Sequence, residues 1–337
     1  MAQQQDSLTT TLELRARKFK DLLEEQLPLI QGFKTMEGGR DMVDGGARKG
    51  YPVVVTEHAG IVEHQTGYEP TIQTVAEISQ LAYFDLDFFS TVVAITKKDK
   101  AENKGKAAQL SMLDMRMKAQ MKKCFRDFEA HYLRDQGTFA NLLSLDGMST
   151  GNTTGFLEEN AVGAQTNTVG ELSKASHTPY LDKFVYDIAG AFSTNGINMI
   201  TEGHTDISMY REGPNRGLFL MEKAMFVLYV AELETQRRFY KRDVLDSGMI
   251  EMVDSNGVVC RPTPNLGYTD GSGTRVSGIL LDVGGIFEIV DKDYDWVVEP
   301  PEGVSGSIVI ARDILRHSQL GFQGGLRHST VFLRGNL

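Results

Sequence analysis

The stretch KAAQLSMLDMRMKAQMKKCFRDFEAHYLRD, Lys106 to Asp135, limits the fold of this chain more than any other segment. Leu110, Leu113, Met117, Met121, Cys124, Phe128 and Tyr132 step by three or four residues, which puts one apolar stripe along a helix. Arg116, Lys118, Lys122, Lys123, Arg126 and Glu129 fall mostly off that stripe. About 30 residues at a rise of about 1.5 Å make a rod on the order of 45 Å long, and Gly137 can stop it. The stripe is single-sided and has no sustained charge pairing beside it, so a helix laid across a sheet fits better than a coiled coil.

The segments around the rod give it that sheet. Leu8, Leu12, Phe19, Leu22, Leu23 and Leu27 recur near helical spacing after a cap at Asp6 or Ser7, and Pro28 disturbs the end. Arg15, Arg17, Lys18 and Lys20 make this first helix basic, either as a solvated face or as an arm that docks on a neighbour or an acidic partner. Glu37–Gly50, rich in glycine, reads as linker. Val53–Val55 reads as strand, and Phe84, Leu86 and Phe88 alternate with Asp85 and Asp87. Two strands joined by a long excursion follow from this, with one apolar and one wet face. An isolated hairpin of that length is marginal in water, so something must cover it. The basic run Lys97–Lys106 is a turn before the rod. Residues 138–180 read as irregular. Leu181, Phe184, Val185, Ile188 and Phe192 mark a helix, and Leu218–Tyr240 a second. Asn256-Gly257 suits a tight hairpin corner. SGILLDVGG, IFEIVDK, YDWVVEP, GSIVIARD and STVFLRG read as strands. A hairpin, a long helix, a mixed region and then many strands make an α+β chain, and 337 residues are enough for two lobes.

Chemistry is hard to place on this frame. His58 and His64 lie near Glu57 and Glu63 but form no metal-binding spacing. LRHSQ and LRHST repeat by coincidence, and TDGSGTR lacks the acids of a calcium loop. There is no G-x-S-x-G elbow and no phosphate-binding glycine loop. Glu158 and Glu159 sit in loop-like sequence, and the lone Trp296 reads as core. No catalytic residue, metal or cofactor is expected. Net charge is −10 at pH 7, so the overall field does not wrap nucleic acid, although local basic patches can still form. The two cysteines, Cys124 and Cys260, lie far apart and suit a reducing compartment as buried apolar residues. The longest apolar run, Met225–Ala231, is far short of a membrane span, so a cytoplasmic location with no membrane partner is expected.

The order of segments resembles the major capsid proteins of tailed bacteriophages with the Hong Kong 97-like fold. Locally the resemblance rests on HQTGYEPTI (His64–Ile72), on STVVAITKKD, and on RDQGT (Arg134–Thr138). It implies an N-terminal arm and linker over 1–50, an extended β-hairpin loop over 51–100, and a peripheral domain over 101–174 with a spine helix at 106–135. It further implies a mixed axial domain, mainly 175–300, and C-terminal strands over 301–337 returning to the peripheral domain. Glu57, His64, Glu69, Lys97, Lys98 and Lys100 become candidate intersubunit contacts, and Arg15, Arg17, Lys18 and Lys20 candidate contacts of the arm.

The function so implied is structural: self-assembly as pentamers and hexamers into an icosahedral virion shell around double-stranded DNA, put together in the host cytoplasm. A separate scaffolding protein, a portal and a decoration protein are the implied partners. An acidic chain suits a shell that must not grip its duplex. The rivals are an encapsulin-type compartment of the same fold and a soluble cytosolic α+β enzyme.

Overall fold

The computed structural model describes residues 27–56, 78–96, 106–134, 143, 145, 168–173, 176, 184–188, 192–210, 217–235, 241–244, 250–253, 257–269, 275–299, 302–303, 309–324 and 330–335. Helix α1 (Pro28–Thr35) is followed by β1 (Arg40–Val43), β2 (Arg48–Val54), β3 (Ser79–Asp85) and β4 (Asp87–Thr96). The long helix α2 (Lys106–Leu133) comes next, then β5 (Thr168–Val169), β6 (Leu172–Ser173), β7 (Phe184–Asp187), α3 (Phe192–Tyr210), β8 (Gly217–Glu222) and α4 (Lys223–Thr235). The remainder is strand: β9 (Lys241–Val244), β10 (Ile250–Val253), β11 (Val259–Thr263), β12 (Tyr268–Thr269), β13 (Arg275–Asp282), β14 (Ile286–Val298), β15 (Glu302–Gly303), β16 (Val309–Phe322) and β17 (Thr330–Arg334). The chain is mixed α+β.

Two sheets organise it. In a five-stranded sheet β1 runs parallel to β14, and β16 pairs antiparallel with β14, β15 and β4. Helix α2 lies across one face of this sheet. Its Met117, Met121, Phe125, Phe128 and Tyr132 are buried, as are Phe89, Thr91 and Val93 of β4 and Ile314 and Leu320 of β16. Phe89 meets Phe128 edge-on at 5.0 Å, and Gln120 donates to Thr91 Oγ1 at 2.8 Å. The rod is therefore a helix on a sheet, as its single stripe requires, and Phe125 joins the stripe.

The second sheet has eight strands, β7-β17-β13-β8-β11-β10-β9 with β12 beside β13. Helices α3 and α4 cover one of its faces. Strand β8 separates two cores: Leu218 and Leu220 face the core shared with α2, while Phe219 and Met221 face α3 and α4. Both faces are apolar, so the strand reads as an unbroken hydrophobic run, the mark of a strand buried on two sides.

Several expectations change. Pro28 begins a helix, which its fixed φ and missing N–H favour at a first position, and the helix expected before it lies outside the described residues. The glycine-rich segment read as linker holds β1 and the start of β2, and its Arg40–Val43 pair with Glu288–Asp291. The helix expected around Phe184–Ile188 is the strand β7, paired parallel with β17, and its helix begins only at Phe192. The helix expected from Leu218 starts at Lys223, because β8 precedes it. The Phe84–Phe88 alternation breaks at Leu86 between β3 and β4: Phe84 is buried, but Phe88 is exposed and Phe89 takes the inner position. The Asn256-Gly257 corner is a longer connection, with Val253 opposite Val259 and Gly257 at φ 77°. Most of 138–180, and the excursion between β3 and its partner β2, lie outside the described residues.

Candidate functional site

The described part of the chain concentrates its polar chemistry where α2 meets the five-stranded sheet. Glu288 of β14 is fully buried. Arg40 Nε of β1 donates to its Oε2 at 2.8 Å, Arg316 Nη2 of β16 donates to Oε1, and Tyr132 Oη of α2 donates to Oε1 at 2.9 Å. Arg316 Nε also donates to Ser318 Oγ at 3.1 Å, and Asp295 Oδ1 lies 3.9 Å from Nη1. Burial and the Glu288 charge hold the Tyr132 phenol well above its ordinary range. Each group sits where register puts it: Arg40 is opposite Glu288 in the β1–β14 ladder, and Arg316 is opposite Asp295 in the β14–β16 ladder.

The Arg316 guanidinium is also enclosed by aromatic rings. Its Cζ lies 4.8 Å from the Trp296 ring and 5.1 Å from Phe128. Trp296 reaches this place because β14 bulges between Val290 and Val297, and the residue itself adopts φ 58°. A left-handed tryptophan is strained, on the order of 1–3 kcal/mol, and persists only where packing fixes it. Phe125 at 4.5 Å and Phe128 at 5.5 Å supply that packing from α2. The arrangement is a clamp that joins helix, β1, β14 and β16. The side chains of its Glu288–Arg316 pair are fully buried.

The hairpin base is braced separately. Strands β2 and β3 pair antiparallel from Arg48↔Asp85 to Val54↔Ser79. Arg48 donates to Asp85 Oδ1 at 2.7 Å and to Glu171, whose corner with Gly170 joins β5 to β6. Both corner residues have positive φ, 56° and 68°, and Tyr83 N donates to Gly170 O at 3.0 Å. A Cβ on Gly170 would lie 2.7 Å from the Ala82 Cβ.

Among the described residues, apolar side chains are exposed on two faces in particular. On the sheet face opposite α2, Phe88 (50 % exposed), Val92 (49 %), Tyr294 (37 %) and Val297 (38 %) form a patch, with Phe88 and Tyr294 ring centroids 5.2 Å apart. His317, opposite Phe88 in the ladder, pairs with Asp291 at 3.0 Å. Burial raises the Asp291 carboxyl, but bonds from His317 and the Asp293 N–H outweigh it and leave the carboxyl lowered. On α4, Ala224, Val227, Leu228 and Ala231 are all exposed, an outward stripe besides the buried Met225, Phe226, Tyr229 and Leu233. Exposed apolar patches of this kind mark interaction surfaces.

Of the residues singled out from sequence, Lys118, Lys122, Lys123 and Arg126 are exposed on the outer side of α2. Glu129, expected beside them, is instead fully buried at a joint with β11. Trp296 is core, Cys260 is buried and Cys124 half-buried, and burial pushes the Cys124 thiol up to about 11. The candidate contacts Glu57, His64, Glu69, Lys97, Lys98 and Lys100, and those of the arm, Arg15, Arg17, Lys18 and Lys20, lie outside the described residues. The clamp was missed from sequence because its members are 276 residues apart end to end, Arg40 to Arg316. Only the strand ladders bring them together. Among the described residues no cluster of His, Cys, Asp or Glu could hold a metal, and no helix is long and apolar enough to cross a membrane.

No family model and no curated protein matches the sequence. Solved structures do match the fold. The capsid of cyanophage A-1(L) superposes with a TM-score of 0.58 at 10 % identity, covering 88 % of this chain and 90 % of that one. The capsid of a native GTA particle computed with C5 symmetry gives 0.53 at 10 % identity, over 94 % and 90 %. The SrpI encapsulin of Synechococcus elongatus gives 0.50 at 10 % identity, over 89 % and 85 %. The chain therefore has, over about nine-tenths of its length, the fold of phage capsid shells.

Proposed function

We propose that the chain is a major capsid protein of a tailed phage, a non-enzymatic subunit that assembles as pentamers and hexamers into an icosahedral shell around double-stranded DNA. The observation that carries this is coverage: the match takes in nearly the whole of this chain and nearly the whole of the capsid subunits. Open apolar faces on the five-stranded sheet and on α4 support it, since a lone subunit would leave both wet. In this reading α2 is the spine helix of a peripheral domain built on the five-stranded sheet. The eight-stranded sheet with α3 and α4 is the axial domain, and residues 51–100 form an extended loop over a neighbour. Residues 1–50 lead in as the N-terminal arm, although β1 within them already belongs to the peripheral sheet. Of the C-terminal strands over 301–337, β16 lies in the peripheral sheet and β17 in the axial one. Glu57, His64, Glu69, Lys97, Lys98 and Lys100 make intersubunit contacts, and Arg15, Arg17, Lys18 and Lys20 carry the arm to an adjacent subunit. Scaffolding, portal and decoration proteins complete the particle, which is assembled in the host cytoplasm.

The match to an encapsulin keeps a second reading in play, a protein compartment that encloses protein cargo. Electron microscopy of the purified chain, expressed with and without a co-encoded scaffold, tests assembly. Shells are expected, and a monomer under both conditions overturns the proposal. Ultraviolet absorbance of particles from the native source separates the two readings: a nucleic-acid spectrum supports the virion and a protein-only spectrum the compartment.

A further inference from the structure

At the far end of α2 a carboxyl group is buried where three elements meet. Glu129 Oε1 accepts from Thr263 Oγ1 of β11 at 3.2 Å, and that oxygen accepts in turn from the Asn265 N–H at 3.3 Å. The Leu29 N–H, in the first turn of α1, also reaches the carboxyl. On the other side of the same peptide, Arg261 Nη1 donates to the Pro28 carbonyl at 3.2 Å. The Pro28–Leu29 peptide, where residues 1–26 enter the described fold, is thus held by helix α2 and by the eight-stranded sheet at once.

The charges around it do not neutralise Glu129. Arg261 faces it from β11, but its Nε and Nη2 are engaged by Glu251 of β10 at 2.7 and 2.6 Å. Helix α1 presents main-chain groups and has no acid in its first turn. Just past the end of α2, Arg134 lies over the Tyr268 ring at 4.8 Å. His131 is buried, but two residues on from Glu129 it points about 200° away round the helix. Burial pushes the Glu129 carboxyl up to about 8, and Thr263, Leu29, Asn265 and Arg261 bring it down only in part.

We propose that Glu129 is a proton-operated latch. When neutral it closes the joint between α1, α2 and β11, and loss of its proton accompanies opening. The closed form holds a proton that an opened, hydrated carboxyl sheds near 4.5. Closure is therefore favoured in acid. Its advantage falls as pH rises from about 4.5 to about 8 and is level above that. This latch does not depend on the capsid reading.

Hydrogen exchange of the amides of 29–33 and of Thr263, Asn265 and Leu266 tests it, on the full chain in its purified state between pH 5 and pH 9, corrected for intrinsic rates. In the wild type, protection is expected to fall about tenfold per pH unit up to about pH 8 and then level off. In Glu129→Gln it should stay level throughout. Thr263→Val, which removes a donor that favours the anion, should move the plateau to higher pH. A level wild-type profile overturns the proposal. So does a Gln variant that keeps the slope, which would assign it to His131. If the Gln variant does not fold, an unmoved plateau in Thr263→Val overturns it.

Discussion

Glu288 is the side chain on which the clamp depends, because one carboxylate receives two guanidinium groups and a phenol in a dry site. A buried ion pair is weak evidence of net stabilisation, yet removing one partner strands the other charge. Glu288→Gln should therefore lower the free energy of unfolding by about 3–5 kcal/mol. Tyr132→Phe, which removes one bond to the anion, should cost about 1.5–3 kcal/mol. Urea denaturation measures both, and equal losses would mean that the phenol, not the ion pair, is the main tie. Asp291 gives a pH signature of opposite sign to that of Glu129. Its carboxyl is lowered in the fold, so its contribution is present above about pH 4 and is lost as pH falls through the lowered value. Asp291→Asn should flatten the acid limb of thermal stability below pH 4 and leave stability above pH 8 on the same slope as the wild type.

The elements differ in how far the sequence announces them. Helix α2 was legible in type, start and buried face because the 3.6 period is sustained from Met117 to Tyr132. The late strands were legible because β-branched runs are bounded by Gly and Pro. Strand β8 was not, since a segment feeding two cores has no polar face to betray its period. Phe88 misled for another reason: the break at Leu86 inverts the alternation, and only β16 shows which phase continues. The base of the hairpin sets its own prediction. Val55 N donates to Ile78 O at 2.9 Å, so the two ends of 57–77 lie together and a short glycine link can join them. Replacing 57–77 by such a link should leave the β2–β3 ladder and circular dichroism unchanged but impair assembly. Normal shells from this variant would show that the excursion is no intersubunit clamp. Gly170→Ala should loosen the brace under β3, since its Cβ meets Ala82 and its φ is positive. A Tm drop of several degrees is expected, equivalent to about 1–3 kcal/mol.

As a whole the molecule is built on two main sheets that share one core, with a second core between the eight-stranded sheet and helices α3 and α4, and its charge is arranged unevenly. The net charge is −10, yet Lys118, Lys122, Lys123 and Arg126 stand exposed together on α2. If that flank meets packaged duplex, converting Lys122, Lys123 and Arg126 to Gln should leave subunit stability within about 0.5 kcal/mol. The same change should weaken the salt dependence of DNA retention in filled particles. Retention with an unchanged salt slope would place the flank away from DNA. The family resemblance drawn from segment order agreed with the fold at the scale of the whole chain. The clamp and the Glu129 joint could not be read there, because each depends on pairings between residues far apart in sequence.

The lone tryptophan has a use beyond its packing. Trp296 is the chain's single indole, and it lies between the Arg316 guanidinium and two phenylalanines of α2. Its emission should be blue-shifted while the helix is seated and move to the red when the helix lifts. The fold thus contains an intrinsic fluorescent strain gauge, readable without a label in the isolated chain and in any assembly that it forms.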